Sequence, residues 1–213
     1  MKIYVIKFAS YQPSLENPSE QPKLEYVDPL FRRRLSQITR MTIEAVYGLI
    51  KDCDITFKES VLCSKLVFTS FRGEIARQLK INKSLVEDAD VMPAPFSLSV
   101  FNTPPAAVTI ALGIKSGYTA IYPSEDNFYS ALVAASSSIL CGLDKKITFA
   151  YADEKIPEEY KNCMGYEKKL PLAFACVLSS EKSDGAVELD LNAQKFKTPQ
   201  EFLSYVELKY NGV

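Results

Sequence analysis

The sequence contains no histidine among its 213 residues. This absence excludes a Ser-His or Cys-His catalytic pair within the chain, and it also excludes a histidine-based metal site. General acid–base chemistry would have to use Glu, Asp, Lys or Tyr side chains with perturbed pKa values. The commonest machinery for acyl transfer is therefore missing from this sequence.

Other scarcities narrow the class of protein further. With only 8 glycines, the chain has no Gly-rich phosphate-binding loop. Its five cysteines are widely spaced and form no C-x-x-C pair, which argues against a disulfide framework or a zinc knuckle, so we expect most of them to be buried. No apolar run approaches the ~18 residues of a membrane-spanning helix. A net charge of −1 gives no sign of a nucleic-acid partner. We predict a cytoplasmic protein without cofactor or bound metal.

What is present is a regular alternation of apolar strands and amphipathic helices, which is typical of an α/β layered fold. Strands are predicted over residues 2–8, 65–70, 117–122, 145–152, 171–178 and 186–191, and helices over 28–52, 71–81, 104–112, 125–142 and 198–210. Residues 86–105 are predicted to be a loop that crosses the surface or covers a pocket. The final strand–strand–helix segment predicts an antiparallel extension at one edge of the sheet. With no repeat or long linker, we expect one domain over residues 1–213.

The stretch TAIYPSEDNFYSAL, residues 119–132, contains the first candidate site. A strand there runs directly into a helix, with Ser124 or Asp126 placed to cap it. One interpretation is a pocket at the end of the strand, in which Ser124, Glu125 and Asp126 meet a ligand. The other is an ordinary N-cap with acidic residues in the first turn, which stabilises any helix.

The stretch SVFNTPP contains the second candidate. Asn102 and Thr103 could hydrogen-bond a ligand, or they could fix the loop before a helix that starts at proline. The neighbouring Phe101 is more often a packing residue.

Two further features have both a structural and a functional interpretation. Arg32, Arg33 and Arg34 could contact an acidic partner or form a solvated helix face, and successive residues point in different directions around a helix. The stripe of Phe71, Ile75 and Leu79 would be core by default, or an exposed interface seam.

Several segments taken together resemble β-ketoacyl synthases. The segments that carry this likeness are DPLFRRRLSQITRMTIEAV, LVFTSFRGE, MPAPFSLSVFNTPPAAVTIALGIKSGYTAIYPS and SALVAASSSILCGLDKKITFAY. The likeness covers roughly residues 1–155 and is strongest to the short synthase-like N-terminal proteins related to chain-length factors, found in bacterial aryl-polyene-type pathways. It implies a thiolase-like half fold, a layered sheet with flanking helices, without the second half that supplies the catalytic histidines of full synthases.

The resemblance also implies a degenerate nucleophile position. The synthase cysteine falls on Ser124 without gaps, or on Glu125 after a one-residue shift, and neither is a thiol. The family often has His-Asn where this chain has Phe101 and Asn102.

A second implied difference concerns the glycine-rich turn of the synthases, which is here the bulkier Phe71-Arg72-Gly73-Glu74. In synthase dimers this turn lies near the partner's acyl tunnel. The resemblance therefore suggests that Phe71, Arg72 and Ile75 close that tunnel at a set depth.

These expectations lead to one principal hypothesis and two alternatives. The chain would be a non-catalytic, chain-length-factor-like subunit that pairs with a complete β-ketoacyl synthase through the strand Gly117 to Tyr122 and shapes its acyl pocket. An acyl carrier protein would contact the partner, or Arg32 to Arg34. The first alternative is a small acyl-handling enzyme that uses Ser124 or Glu125 with Asp126. The second is a non-catalytic homodimeric scaffold.

Overall fold

The computed structural model describes residues 1–124, 127–163, 170–210 and 212. The strands are β1 (Lys2–Tyr11), β2 (Lys65–Thr69), β3 (Tyr118–Ile121), β4 (Lys146–Asp153), β5 (Leu172–Ser179) and β6 (Val187–Asp190). The helices are α1 (Pro29–Arg32), α2 (Gln37–Gly48), α3 (Ile55–Leu62), α4 (Ile75–Asp88), α5 (Pro93–Ser97), α6 (Thr103–Leu112), α7 (Phe128–Leu140) and α8 (Pro199–Tyr210). A short 3-10 helix spans Glu158–Tyr160.

The six strands form one mixed sheet in the order β3-β2-β4-β5-β1-β6. Strand β2 pairs in parallel with β3 on one side and with β4 on the other, so the carboxyl ends of these three strands meet at one edge. Strands β5, β1 and β6 complete the sheet through antiparallel pairs. All eight residues of β5 are buried, as expected for an apolar strand covered on both faces.

Helices cover both faces of the sheet, which confirms the predicted layered α/β fold. On one face α2 and α6 pack against the strands with buried side chains such as Met41 and Val108. On the other face α7 and α8 enclose an aromatic core that includes Phe128 and Phe202. Phe128 lies 5.6 Å from Phe202 between ring centroids, so these two helices share one packed cluster.

The segment predicted as one helix over residues 28–52 contains two helices, α1 and α2, because a second N-cap at Ser36 begins a new helix. Asp28 caps α1 by accepting a hydrogen bond from the backbone N–H of Phe31. Ser36 then adopts an extended conformation and its hydroxyl accepts the N–H of Thr39, which begins α2. Ser36 falls inside the predicted helix, whereas in the structure it is the N-cap of α2, a position that serine favours.

The region around residues 71–105 also differs from the prediction. Helix α4 begins only at Ile75 and continues to Asp88, so Phe71 lies before it and does not share a helical stripe with Ile75 and Leu79. Helix α3 was not predicted, and α5 lies inside the segment that was predicted to be a loop. The predicted helix over 104–112 is confirmed as α6.

Two smaller predictions need correction. The antiparallel extension has β6 at the edge of the sheet, but β5 lies in its interior between β4 and β1. Cys176 is buried, whereas Cys63, Cys141 and Cys163 are exposed, so most cysteines are not core residues.

Candidate functional site

The candidate site lies at the carboxyl edge of the parallel strands β3, β2 and β4. Ser70 follows β2, Tyr122 follows β3, and Asp153 ends β4 with Glu154 directly after it. Polar side chains at this edge converge because neighbouring parallel strands end at the same level, which is where α/β sheets commonly bind ligands.

Asp153 organises the turn between β2 and α4. Its Oδ1 accepts hydrogen bonds from the Ser70 hydroxyl at 2.6 Å and from the backbone N–H groups of Phe71 and Arg72, both at 3.1 Å. Its Oδ2 accepts the Tyr151 hydroxyl at 2.6 Å. Burial raises the pKa of Asp153, and these four hydrogen bonds oppose that rise because they favour the ionised form. The side chain of Asp153 therefore fixes the conformation of this turn.

The same turn is held from the outside by two aromatic rings. Gly73 has φ +59°, and a Cβ there would lie 2.8 Å from Cδ1 of Phe101, so the position accommodates only glycine without a shift of that ring. Phe101 packs on Tyr122 with a centroid distance of 3.9 Å, and the Tyr122 hydroxyl donates to the Phe101 carbonyl at 2.8 Å. Burial raises the pKa of Tyr122, which keeps this hydroxyl a donor. Phe101 is thus a packing residue.

Asn102 ties the segment before α6 to the edge strand β3. Its side-chain amide donates to the hydroxyl of Tyr118 at 3.1 Å. Thr103, the first residue of α6, is buried. Asn102 therefore fixes the loop, one of its two predicted roles.

A second group of carboxylates lies where α2 and α4 begin. Glu74 is fully buried, and its Oε1 accepts the hydroxyls of Ser36 at 2.6 Å and Thr39 at 2.7 Å. Its Oε2 pairs with Nε of Arg77 at 3.1 Å. A buried charge is tolerated when it is paired and hydrogen-bonded in this way.

Glu154 completes this junction by meeting both helix N-termini. Its Oε1 accepts the N–H of Ala76 in α4 at 3.0 Å, and its Oε2 accepts the N–H of Ile38 in α2 at 3.3 Å. Burial raises the pKa of Glu154 to about 7; the charge of Glu74 adds to the rise, and the two backbone donors and Arg77 oppose it. This carboxyl changes its charge near neutral pH.

An open cleft of about 1410 Å³ extends from this junction. Its walls combine apolar and cationic side chains, and Glu154 lies at its base. The lining includes Arg33, Arg34, Ser36, Arg77, Lys80, Met92, Val100, Asn102, Thr103, Ile110 and Lys155. Segment 86–105, predicted either to cross the surface or to cover a pocket, contributes lining residues such as Met92 and Val100 to this cleft. Among the described residues, the lining does not include Phe71, Arg72, Ile75, Phe101, Tyr122 or Ser124.

The start of α7 is simpler. Ser124 is exposed, and its carbonyl accepts the N–H of Asn127 at 3.1 Å. Asn127 is the N-cap, since its side chain accepts the N–H of Ser130 at 3.0 Å. The predicted cap at Ser124 is therefore misplaced. The alternative cap Asp126, and Glu125 beside it, lie outside the described residues.

Three carboxylates of the site were not predicted from the sequence, namely the buried Glu74 and Glu154 and the half-buried Asp153. A signal exists for two of them, because YADEK places Asp153 and Glu154 directly after an apolar strand. Glu74 carries no such signal, because it follows the turn Phe71-Arg72-Gly73 and not an apolar strand. The part of the chain that the structure describes holds no group of three His, Cys, Asp or Glu side chains suited to a metal ion.

The model of the β-ketoacyl synthase N-terminal domain matches residues 8–205. The chain belongs to this family. No curated protein matches the sequence significantly. Within the described residues, no helix combines the length and apolar character needed to cross a membrane.

Solved structures show the same thiolase-like fold. The ketosynthase ApeO in complex with its chain length factor ApeC from Xenorhabdus doucetiae contains a chain with a TM-score of 0.69 and 20% identity, matched over 86% of this chain and 81% of that chain. The ishigamide ketosynthase/chain length factor gives 0.66 at 12% identity, over 86% of this chain and 64% of that one. A β-ketoacyl synthase from Burkholderia phymatum has a TM-score of 0.63 at 9% identity, matched over 84% of this chain and 59% of that chain. The chain thus spans less than two thirds of the latter two.

Proposed function

We propose that this β-ketoacyl-synthase-like protein is a non-catalytic, chain-length-factor-like subunit that pairs with a complete β-ketoacyl synthase and shapes its acyl pocket. The observation that carries the proposal is the start of α7. The position that would hold the nucleophile is an exposed Ser124, and the 213 residues contain no histidine to activate it.

The outer edge of the sheet supports a pairing role. Strand β3 pairs with β2 on one side and is the terminal strand of the described sheet. The exposed backbone of an edge strand can add a strand from another chain. Apolar side chains near it are exposed, with Ile110 at 69%, Phe101 at 49% and Val100 at 44%. We therefore assign the partner surface to β3, α6 and the segment before α6, and an obligate pair would bury over ~2,000 Å² in total.

The turn after β2 is our candidate for shaping the acyl pocket. Phe71 is half-buried against Tyr151, with 5.6 Å between ring centroids, and its backbone N–H is fixed by Asp153. Arg72 is held in the same way. Ile75 follows as the first residue of α4. A turn with so many fixed backbone groups would present a rigid wall to an acyl chain, so the depth of the pocket would be set by the bulk of these side chains.

The ApeO–ApeC complex supports the same assignment. A chain of this ketosynthase–chain length factor complex matches over 86% of this chain and 81% of its own length. By the same inference the product would be an aryl-polyene-type, polyketide or fatty-acid chain made in the cytoplasm. An acyl carrier protein would contact the ketosynthase, or exposed Arg33 and Arg34 beside the cleft.

A matched pair of surface variants tests the pairing. Ile110→Glu places a charge on the proposed interface, whereas Leu143→Glu changes another exposed apolar residue, which lies before the interior strand β4 and outside that interface. The chain is co-expressed with each full-length ketosynthase of the same genome, and complexes are measured by size exclusion with light scattering. We expect wild type and Leu143→Glu to form a heterodimer and Ile110→Glu to weaken it at least tenfold.

Two results would redirect the proposal. A stable homodimer with no ketosynthase bound would support the homodimeric scaffold. Acyl-thioester turnover by the purified chain alone, lost in Ser124→Ala, would support the independent acyl-handling enzyme that uses Ser124 or Glu125.

A further inference from the structure

Helix α4 is an unusually lightly packed wall of the cleft. None of the 14 residues of α4 is buried. Its side chains Arg77, Lys80 and Ile81 line the cleft. Helix α2, which forms another wall, has eight buried residues in 12. Packing of an apolar face supplies most of the stability of a helix in a protein. Helix α4 therefore depends on other contacts to hold its position.

Several polar tethers join α4 to the rest of the chain. At its first turn, Arg77 pairs with Glu74 and its Nη2 donates to the Arg34 carbonyl at 3.0 Å. Further along, the Gln78 amide donates to the Ser99 carbonyl at 3.2 Å. The pair between Lys83 and Glu159 is 2.7 Å long but about half exposed, so it contributes little.

Glu154 is a second buried carboxylate, besides Glu74, that tethers α4. It is 4% exposed, lies at the base of the cleft and accepts the N–H of Ala76 in the first turn of α4. Several other charged groups lie on the elements around Glu154 or line the same cleft. These are Glu74 in the turn, Arg77 and Lys80 on α4, Arg34 before α2, Lys155 after β4, and Glu158 and Glu159 at the 3-10 helix.

We propose that α4 is a movable wall of the cleft and that Glu154 is its proton-linked latch. With Glu154 protonated, α4 is seated against the end of β4. When Glu154 loses its proton, a negative charge is created in a desolvated position beside the charge of Glu74. Movement of α4 lets water reach that carboxylate, so ionisation favours the open cleft. This inference does not depend on the partner proposed above.

Linkage gives the size and sign of the effect. The pKa of Glu154 is about 7 with α4 seated, compared with 4.5 for the ordinary carboxyl. A group that titrates higher in the closed state than in the hydrated state shifts the equilibrium towards opening as pH rises between these values. Between pH 6 and pH 8 the open fraction is expected to rise about tenfold.

Hydrogen exchange of the full chain tests the latch. Deuterium uptake is followed for residues 75–88 at pH 6 and pH 8 and corrected for the pH dependence of chemical exchange, with residues 37–48 of α2 as the internal reference. We expect opening of α4 to increase about tenfold at pH 8 while α2 is unchanged. Equal protection of α4 at the two pH values would overturn the proposal.

Two variants separate the latch from general destabilisation. Glu154→Gln cannot ionise and should remove the pH dependence of α4, whereas Glu159→Gln, on an exposed pair of the same wall, should retain it. Loss of the pH dependence in Glu159→Gln would contradict the role of Glu154. If Glu154→Gln does not fold, Glu74→Gln serves in its place, because the charge of Glu74 raises the pKa of Glu154 and its removal should move the transition of α4 to lower pH. Arg77, no longer paired with Glu74, would also favour ionisation of Glu154, so no movement, or a movement to higher pH, would count against the latch.

Discussion

Helices begin at two places along the same edge of the sheet, and the two starts are built differently. At the junction of α2 and α4, the buried Glu74 accepts hydroxyl donors and pairs with Arg77, and the buried Glu154 accepts two backbone N–H groups. At the start of α7, the neutral side chain of Asn127 supplies the cap and Ser124 is exposed. The position that we propose as the equivalent of the synthase nucleophile therefore has fewer described contacts than the junction of α2 and α4.

This difference indicates which substitutions should lower the stability of the fold. Buried, multiply bonded carboxylates stabilise the cleft and the turn after β2, so they are costly to remove. An exposed serine beside a helix start has few contacts to lose. The proposed function requires this distribution, since a subunit that acts by shape depends on its framework more than on a reactive group.

The largest effect is expected at Glu74. Replacing it with Ala removes the acceptor of Ser36 and Thr39 and leaves Arg77 without this carboxylate, so Glu74→Ala should lower the free energy of unfolding by about 3 kcal/mol. Urea unfolding followed by circular dichroism measures the change. Glu74→Gln retains an acceptor oxygen and should cost about 1 kcal/mol. Equal stability of the Ala variant and the wild type would show that the two helix starts do not differ as proposed.

The sequence predicted the architecture better than it predicted the boundaries near this junction. Strong apolar runs such as LAFACVLS have one physical solution, a strand buried on both faces, and this element was found where expected. The break between α1 and α2 was missed because the periodic apolar pattern continues through Ser36. Its cap hydroxyl also bonds Glu74, 38 residues away, a tertiary contact that no local pattern contains.

The next effect is expected at Phe71, which lies in the turn beside the junction. Phe71→Ala should lower the free energy of unfolding by about 2 kcal/mol, because a half-buried ring is lost from its contact with Tyr151. In the reconstituted pair with a ketosynthase, it should also lengthen the products, which mass spectrometry of the released chains measures. Phe71→Leu keeps much of the bulk and should leave product length near that of the wild type. An unaltered distribution in a stable Ala variant would remove Phe71 from the pocket.

The candidate site was only partly predictable for the same reason. Phe71, Phe101 and Tyr122 were named separately from local motifs, and the structure brings them together around Gly73 and Asp153. These side chains meet because the strands lie in the order β3-β2-β4 in the sheet. That order is set by how the connections cross between strands, and no local sequence pattern contains it. Asp153 and Glu154 were overlooked because charged residues after a strand more often face solvent.

A smaller effect is expected at the cap of α7. Asn127→Ala removes the acceptor of the Ser130 N–H and should lower the free energy of unfolding by about 1 kcal/mol. Asn127→Asp retains the acceptor and should restore that stability. A loss as large as that of Glu74→Ala would mean that the start of α7 is as strongly constrained as the junction.

The smallest effect is expected at Ser124. Its described hydrogen bond to Asn127 uses the backbone carbonyl, so Ser124→Ala should change the free energy of unfolding by less than about 0.5 kcal/mol. In the reconstituted pair, the amount and length of the products should also stay at the wild-type level, because the proposed subunit acts through its surface and its fixed turn. Loss of product in a variant that is folded and still bound to the ketosynthase would assign chemistry to this serine. The comparison between the two helix starts would then reverse, with the exposed start supplying the reactive group.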